Sequence, residues 1–349
     1  MKARFARDLG ALPIGQETPS PADPELLSVL RGLAADPPHV SPRWFYDALG
    51  SALFTAITQL PEYYPTRTEL GIFAHSGAAM AQMLGPGLTI VELGSGSGEK
   101  IGNLLRHLAT PRAYHPIDIS RAALQETERA VRAAHPSLEV EGLVGDFTSP
   151  TSLDRLCAPL ASRAPLLVFF PGGTLGNFHP SEATALLAAV SRRLPAGTAL
   201  LLGVDQVKPP HLIEAAYDDS VGLTAAFNRN LLAHLNRRFG SDFDPRAWRH
   251  VARYDQTLRR VEMWLVSERN QVVSFGGEQL RFTAGARIHT ENSYKYDRER
   301  LHAVATPAGF QLEATWTDPQ GWFCEALLRA SARGVRTHGE AARAAARAG

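Results

Sequence analysis

Between Leu88 and Val204 short apolar runs alternate with amphipathic stretches, and few folds accept that order. The runs are LTIVEL (88–93), PRAYHPIDI (111–119), LEVEGLVGD (138–146), APLLVFF (164–170) and TALLLGV (198–204). Between them KIGNLLRHLA, SRAALQETERAVRAA, LDRLCAPLAS and HPSEATALLAAVSRRL space their apolar residues three and four apart, as one helix face requires. Strands that return through helices pair in parallel, so the pattern predicts an α/β, doubly wound sheet.

The alternation stops after Val204. VKPPHLIEAAYDDSVGLTAAFNRNLLAHLNRRF predicts one or two helices, and HVARYDQTLRRVEMWLVS, QVVSF and LRFTAGARIHTENSY predict antiparallel strands. Helices are also expected near residues 24–36, 42–59 and 297–307, with a closing strand pair in QLEATWTD and WFCEALLRA that rejoins the first sheet. The expected organisation is therefore a sheet domain over 66–205 and a smaller, discontinuous α+β substrate domain from 1–65 plus 206–292. The chain would return to the first domain over 293–332 and end in a flexible Ala/Arg tail at 333–349. A cleft between two such parts commonly takes a small substrate.

Composition narrows the partners. With 36 Lys and Arg against 35 Asp and Glu, the net charge of +1 supplies no general attraction for nucleic acid or an anionic membrane. Two cysteines, Cys157 and Cys324, exclude CxxC zinc or redox chemistry and a disulfide-dense scaffold. The twelve histidines show no HExxH spacing, so no metal is expected. The basic start MKARFARD is followed by no apolar signal region, and no run has the length of a membrane span. A cytoplasmic protein acting on a small molecule, as a monomer, is the expectation.

The sharpest local signal is VELGSGSGEK at 91–100. Gly94, Gly96 and Gly98 permit a tight turn and a close backbone approach, and the helix that follows offers its positive N-terminus to a ligand. A dinucleotide fingerprint would place glycine where Glu99 stands, and the G-K-[ST] of a phosphate loop is absent. What remains is Glu92 followed by G-x-G-x-G, which resembles the first motif of S-adenosylmethionine-dependent methyltransferases. Asp118, at the end of the second run, sits where a carboxylate can accept both ribose hydroxyls. Asp146 in GDF can accept an adenine amino group, Phe147 can cover the ring, and Lys100 can meet a ligand carboxylate.

Several longer strings resemble the histidine Nα-methyltransferases of ergothioneine biosynthesis. They are PRWFYDALGSALF (42–54), LPEYYPTRTE (60–69), GGTLGNF (172–178), YDDSVGLTAAFNRN (217–230), VEMWL (261–265), TENSYKY (290–296) and TDPQGWF (317–323). The resemblance implies a Rossmann-like methyltransferase sheet, S-adenosyl-L-methionine as cofactor with S-adenosyl-L-homocysteine as product, and L-histidine with its mono- and dimethyl forms as substrates. By motif it implies substrate contacts at Tyr63, Gly172, Asn177, Tyr217, Met263, Glu291 and Ser293, with Tyr46 beside the reacting amine. The chemistry is consistent. Asn177 and Tyr217 offer neutral donors to an α-carboxylate, and Glu291 and Ser293, two apart on an extended segment, face one side and can bond both imidazole nitrogens. Gly173 departs from the pattern, which has Ser there. The rivals are a nicotinamide dehydrogenase, a nucleic-acid aminomethyltransferase, which would want a D/N-P-P-Y-like loop where FPGGTLGN stands, and a non-catalytic binding module. A relative acting on another free amino acid is the nearest alternative.

Overall fold

The computed structural model describes residues 23–96, 98–160 and 162–331; the residues before 23 and the expected Ala/Arg tail lie outside them. In chain order the helices are α1 (Pro24–Leu33), α2 (Ala48–Ile57), α3 (Tyr64–Leu84), α4 (Glu99–Leu105), α5 (Arg121–Ala134), α6 (Pro150–Cys157), α7 (Pro180–Arg193), α8 (Pro210–Tyr217), α9 (Leu223–Phe239) and α10 (Arg298–Ala305). The strands are β1 (Thr89–Leu93), β2 (Ala113–Asp118), β3 (Glu139–Val140), β4 (Leu143–Val144), β5 (Leu166–Phe170), β6 (Ala199–Asp205), β7 (Trp248–Asp255), β8 (Arg260–Ser267), β9 (Gln271–Phe275), β10 (Glu278–Phe282), β11 (Arg287–Tyr294), β12 (Phe310–Thr317) and β13 (Phe323–Ala330).

The main sheet has the order β12-β13-β6-β5-β1-β2-β3, with β4 also on β2. Strands β1 to β6 pair in parallel, while β13 lies antiparallel beside β6 and β12 antiparallel beside β13. Successive residues feed opposite faces. Ile90, Leu167, Phe169 and Leu201 pack with Phe73, Ile101 and Leu104 of α3 and α4, whereas Val91, Val168, Phe170 and Leu202 pack with Leu156 and Leu187 of α6 and α7. Being apolar on both faces is what buried parallel strands require. The chain leaves β1 toward β2 on one side and later reaches β5 on the other, so the topology switches between β1 and β5. Ligands of open α/β sheets bind at such a point.

A second apolar cluster joins Leu26, Trp44, Phe45 and Ile57 to Phe227, Leu231, Trp248, Leu265 and Ile288. It draws on α1, α2 and α9, the three-stranded sheet β11-β8-β7 and the hairpin β9–β10.

The structure corrects four expectations. The third run, 138–146, is two two-residue strands separated by Glu141 and Gly142. The helix expected over 42–59 breaks at Tyr46 and Asp47, because Asp47 caps a new helix by accepting the Gly50 N–H at 2.7 Å. LRFTAGARIHTENSY is two strands, β10 and β11, and residues 64–84, to which the sequence reading assigned nothing, form the longest described helix. Cys157 and Cys324 are free and buried, and burial pushes their thiols up to about 11 and about 12. No described helix is long and apolar enough to cross a membrane.

Candidate active site

The carboxyl ends of β2, β1, β5 and β6 lie side by side and present Asp118, the glycine turn, the GGTLGN turn and Asp205 in that order. Gly94, Gly96 and Gly98 have φ of +77°, +52° and +73°, the left-handed region that only glycine enters freely. A Cβ at Gly98 would lie 2.9 Å from Thr127 Cγ2, so that glycine also lets the turn press on α5; Gly96 has open space around it. This cradle, open at Gly96 and walled by Asp118 and Phe147, fits a nucleoside that needs close backbone approach. Phe147 is the side chain nearest a Cβ built on Gly94, at 3.7 Å, and stands edge-on to Phe170.

Asp118 accepts the Ser120 N–H at 2.8 Å, and burial raises its pKa although amides of Ser120 and Gly96 oppose the rise. Asp146 places Oδ1 on the N–H and hydroxyl of Thr148, leaving Oδ2 3.9 Å from Arg43. Glu92 is buried inside β1 and receives the Tyr114 hydroxyl, and burial pushes its carboxyl up to about 8. Lys100 is not a free charge. It pairs at 2.6 Å with Glu69, a carboxylate buried on α3 that also accepts the Gly172 N–H at 2.6 Å. The expectation had not included Glu69, whose place in an apolar stripe with Ile72 and Phe73 was the readable signal.

Gly172 and Gly173, with φ of +83° and +67°, both need the left-handed region, so glycine in place of the expected serine at 173 is unstrained. The turn then brings Gly176 so close to β11 that a Cβ there would sit 2.7 Å from the Tyr294 carbonyl and 3.6 Å from Ser293 Oγ. Asn177, the next residue of the turn, is half-buried.

The uncommon strings build the facing wall. Phe45 stacks on Phe227 at 4.6 Å, and Asn230 donates to Asp47 at 2.8 Å, so PRWFYDALG locks onto TAAFNRN with Tyr46 held edge-on to Phe54 and Phe227. Tyr63 is edge-on to Phe54, and Ser220 donates to Glu62 at 2.7 Å. Asp219 caps α9, and His250 donates to the Tyr217 carbonyl at 2.8 Å, which fixes the end of α8. Tyr46, Tyr63, Tyr217 and Glu291 are mutually close. Burial raises all three phenols, the Glu291 charge adds to the rise, and for Tyr217 the Lys295 charge opposes it, so they stand as neutral hydrogen-bonding groups rather than bases. Substituting Asp47 by alanine removes a cap and a partner of Asn230. It is expected to cost about 1 to 2 kcal/mol in denaturant unfolding and to raise substrate KM with cofactor affinity unchanged; unchanged KM would detach this junction from the site.

On β11 a bulge lies between His289 and Glu291, and beyond it Glu291 and Ser293 share a face, as expected from their spacing. Glu291 is paired across the ladder with Met263, which is buried in the second apolar cluster beside it. Burial pushes the Glu291 carboxyl up to about 7, against the Lys295 charge. Tyr217 donates to Ser293 Oγ at 2.7 Å and accepts from Lys295 at 3.0 Å. Lys295 is fully buried, with Asp205 at 2.8 Å; Lys208 and the Tyr64 hydroxyl complete that cluster at 2.5 and 2.8 Å from Asp205. None of Lys295, Asp205, Lys208 or Tyr64 was expected in the site. A lone Lys beside tyrosines in TENSYKY reads as a strand-end charge until the fold buries it. Among the described residues no cluster could hold a metal ion.

The Histidine N-alpha-methyltransferase of Mycolicibacterium smegmatis is 41% identical over 300 residues, covering 84% of this chain and 91% of that protein. That of Mycobacterium tuberculosis is 39% identical over 300 residues with the same coverage. Ergothioneine biosynthesis protein 1 of Neurospora crassa is 31% identical over 278 residues, 78% of this chain and 31% of that longer protein. A family profile described as histidine-specific, SAM-dependent methyltransferase matches residues 25–330, and the chain belongs to that family.

Proposed function

We propose that this protein transfers methyl groups from S-adenosyl-L-methionine to the α-amine of L-histidine, through the mono- and dimethyl forms to the trimethyl betaine hercynine, in ergothioneine biosynthesis. The observation that carries this reading is that Glu291 and Ser293 share one face of β11, where Ser293 lies beside the GGTLGN turn. A carboxylate and a hydroxyl at that spacing suit the two ring nitrogens of an imidazole. The identity to the two mycobacterial proteins supports the same substrate. We take 66–205 with 293–332 as the cofactor part and 1–65 with 206–292 as the substrate part, in the cytoplasm, as two free thiols suggest.

The residues that would hold the cofactor are Glu92, the three loop glycines, Lys100, Asp118, Asp146 and Phe147. The cofactor supplies an electrophilic sulfonium methyl. The chain's share is positioning and desolvation. In this reading the Asn177 amide takes the α-carboxylate and the α-amine is directed at the cradle, with the neutral phenols of Tyr46 and Tyr63 to accept its N–H bonds. Tyr46 acts by orienting that amine, since its raised pKa keeps the phenol protonated. An anionic anchor would favour the protonated, unreactive amine; neutral phenols add no such charge.

The test is incubation of the protein with S-adenosylmethionine and an amino-acid mixture, followed by product fragmentation. Methyl groups on the histidine α-nitrogen are expected. Ring-methylated histidine would overturn the orientation, another methylated amino acid the substrate, and no turnover with intact cofactor binding the activity.

A further inference from the structure

We propose that Lys295 is a positioning residue that makes the substrate site select the neutral imidazole over the imidazolium. This deepens the reading above and rests on it. An ammonium has three donors and no acceptor, and Lys295 spends all three inside the protein, on Asp205 Oδ2 at 2.8 Å, Tyr217 Oη at 3.0 Å and Ser293 Oγ at 2.8 Å. Tyr217 in turn gives its one proton to Ser293 Oγ at 2.7 Å, the direction expected between a more acidic phenol and a better-accepting alcohol. Ser293 Oγ thus accepts two hydrogen bonds and has both lone pairs filled. Toward a ligand it can only donate.

Glu291, two residues earlier on the same face, can only accept when ionised. One donor and one acceptor fit a ring with one bare nitrogen and one N–H, in one tautomer. An imidazolium brings two N–H groups, and the one facing Ser293 finds a proton instead of a lone pair. The other titratable and charged groups facing this cluster are Asp318, beside Lys208, Arg259 and Arg300, beside Tyr254, and the phenols of Tyr64 on α3, Tyr217 on α8 and Tyr254 on β7, which burial raises and so keeps neutral. Tyr46 and Tyr63 face Glu291 and are neutral for the same reason.

The experiment compares histidine with 1,2,4-triazol-3-yl-alanine, which keeps an N–H and bare nitrogens but stays neutral between pH 5.5 and 7.5. Titration of Glu291, of the cofactor site and of the α-amine is common to both substrates and cancels in the ratio of their KM values. With an imidazole pKa of about 6.5, the ratio of KM for histidine to KM for the triazole is expected to rise about tenfold from pH 7.5 to 5.5 in the native protein. In Lys295→Met a Ser293 lone pair is freed, and the ratio should stay within about twofold. Ser293→Ala, which leaves the Lys295–Asp205 pair in place, should flatten it likewise. A flat ratio in the native protein, or an equal rise in both variants, overturns the inference. Failure of the underlying reading looks different: neither substrate would be methylated on its α-amine at any pH.

Discussion

Replacing Glu291 by alanine is expected to lower kcat/KM for histidine at least about tenfold, a loss of roughly 1.4 kcal/mol of transition-state binding. The reasoning starts from burial. Glu291 has no protein donor among the described residues, and its carboxyl is pushed up to about 7 by the site around it, so the group is held at a cost that a ligand N–H would offset. An unmade hydrogen bond to such a group costs about 1 to 3 kcal/mol, which is why a side chain without an N–H should be rejected by the native site. Removing the carboxylate removes both the gain for histidine and the penalty for others. Combined with Met263→Val, which withdraws volume from the position paired with Glu291, the change should raise relative activity toward a bulky apolar amino acid such as tryptophan. Native histidine kinetics in the single variant would mean that Glu291 is a strand-end charge, and selectivity would have to come from elsewhere.

How far the sequence reached depends on how local each signal was. The parallel strands β1, β5 and β6 were legible because each is mostly apolar on both faces and flanked by helical spacing, and Glu291 with Ser293 because strand periodicity alone puts them on one face. The third run misled because Glu141 and Gly142 interrupt the pairing with β2 while the apolar count stays high. Helix α3 escaped notice because Gly71 and Gly77 dilute its pattern and buried Glu69 occupies a core position; Pro65 in its first turn and Gly85 after its end were the available markers. The buried cluster of Lys295, Asp205, Lys208 and Tyr64 was out of reach. Its members come from three separate segments, and only the docking of β11 against the end of β6 makes an ion pair out of residues 90 positions apart, as the Tyr296 N–H bonded to the Asp205 carbonyl at 2.8 Å records. The pattern is physical: faces are encoded within a window, while charge pairs that depend on packing between windows are not.

Substituting Asp118 by alanine is expected to weaken S-adenosylhomocysteine binding by about 5- to 150-fold, the range that corresponds to about 1 to 3 kcal/mol for lost hydrogen bonds to a charged acceptor. Asp118 ends β2 beside the glycine turn, half-buried, with one carboxylate oxygen on the Ser120 N–H at 2.8 Å. That leaves acceptor capacity for a pair of vicinal hydroxyls, which a carboxylate can take together. Two features keep the effect separable from unfolding. Helix α5 has its own cap, Ser120 accepting the Ala123 N–H at 3.2 Å, so the helix start does not depend on Asp118. Asp118→Asn keeps an oxygen for Ser120 and loses one acceptor, and an intermediate affinity is expected. Calorimetry on both variants, read beside their unfolding curves, decides the matter. Undiminished affinity with lowered stability would make Asp118 a turn cap and nothing more, and the ribose would then have to be held by backbone groups of the glycine turn.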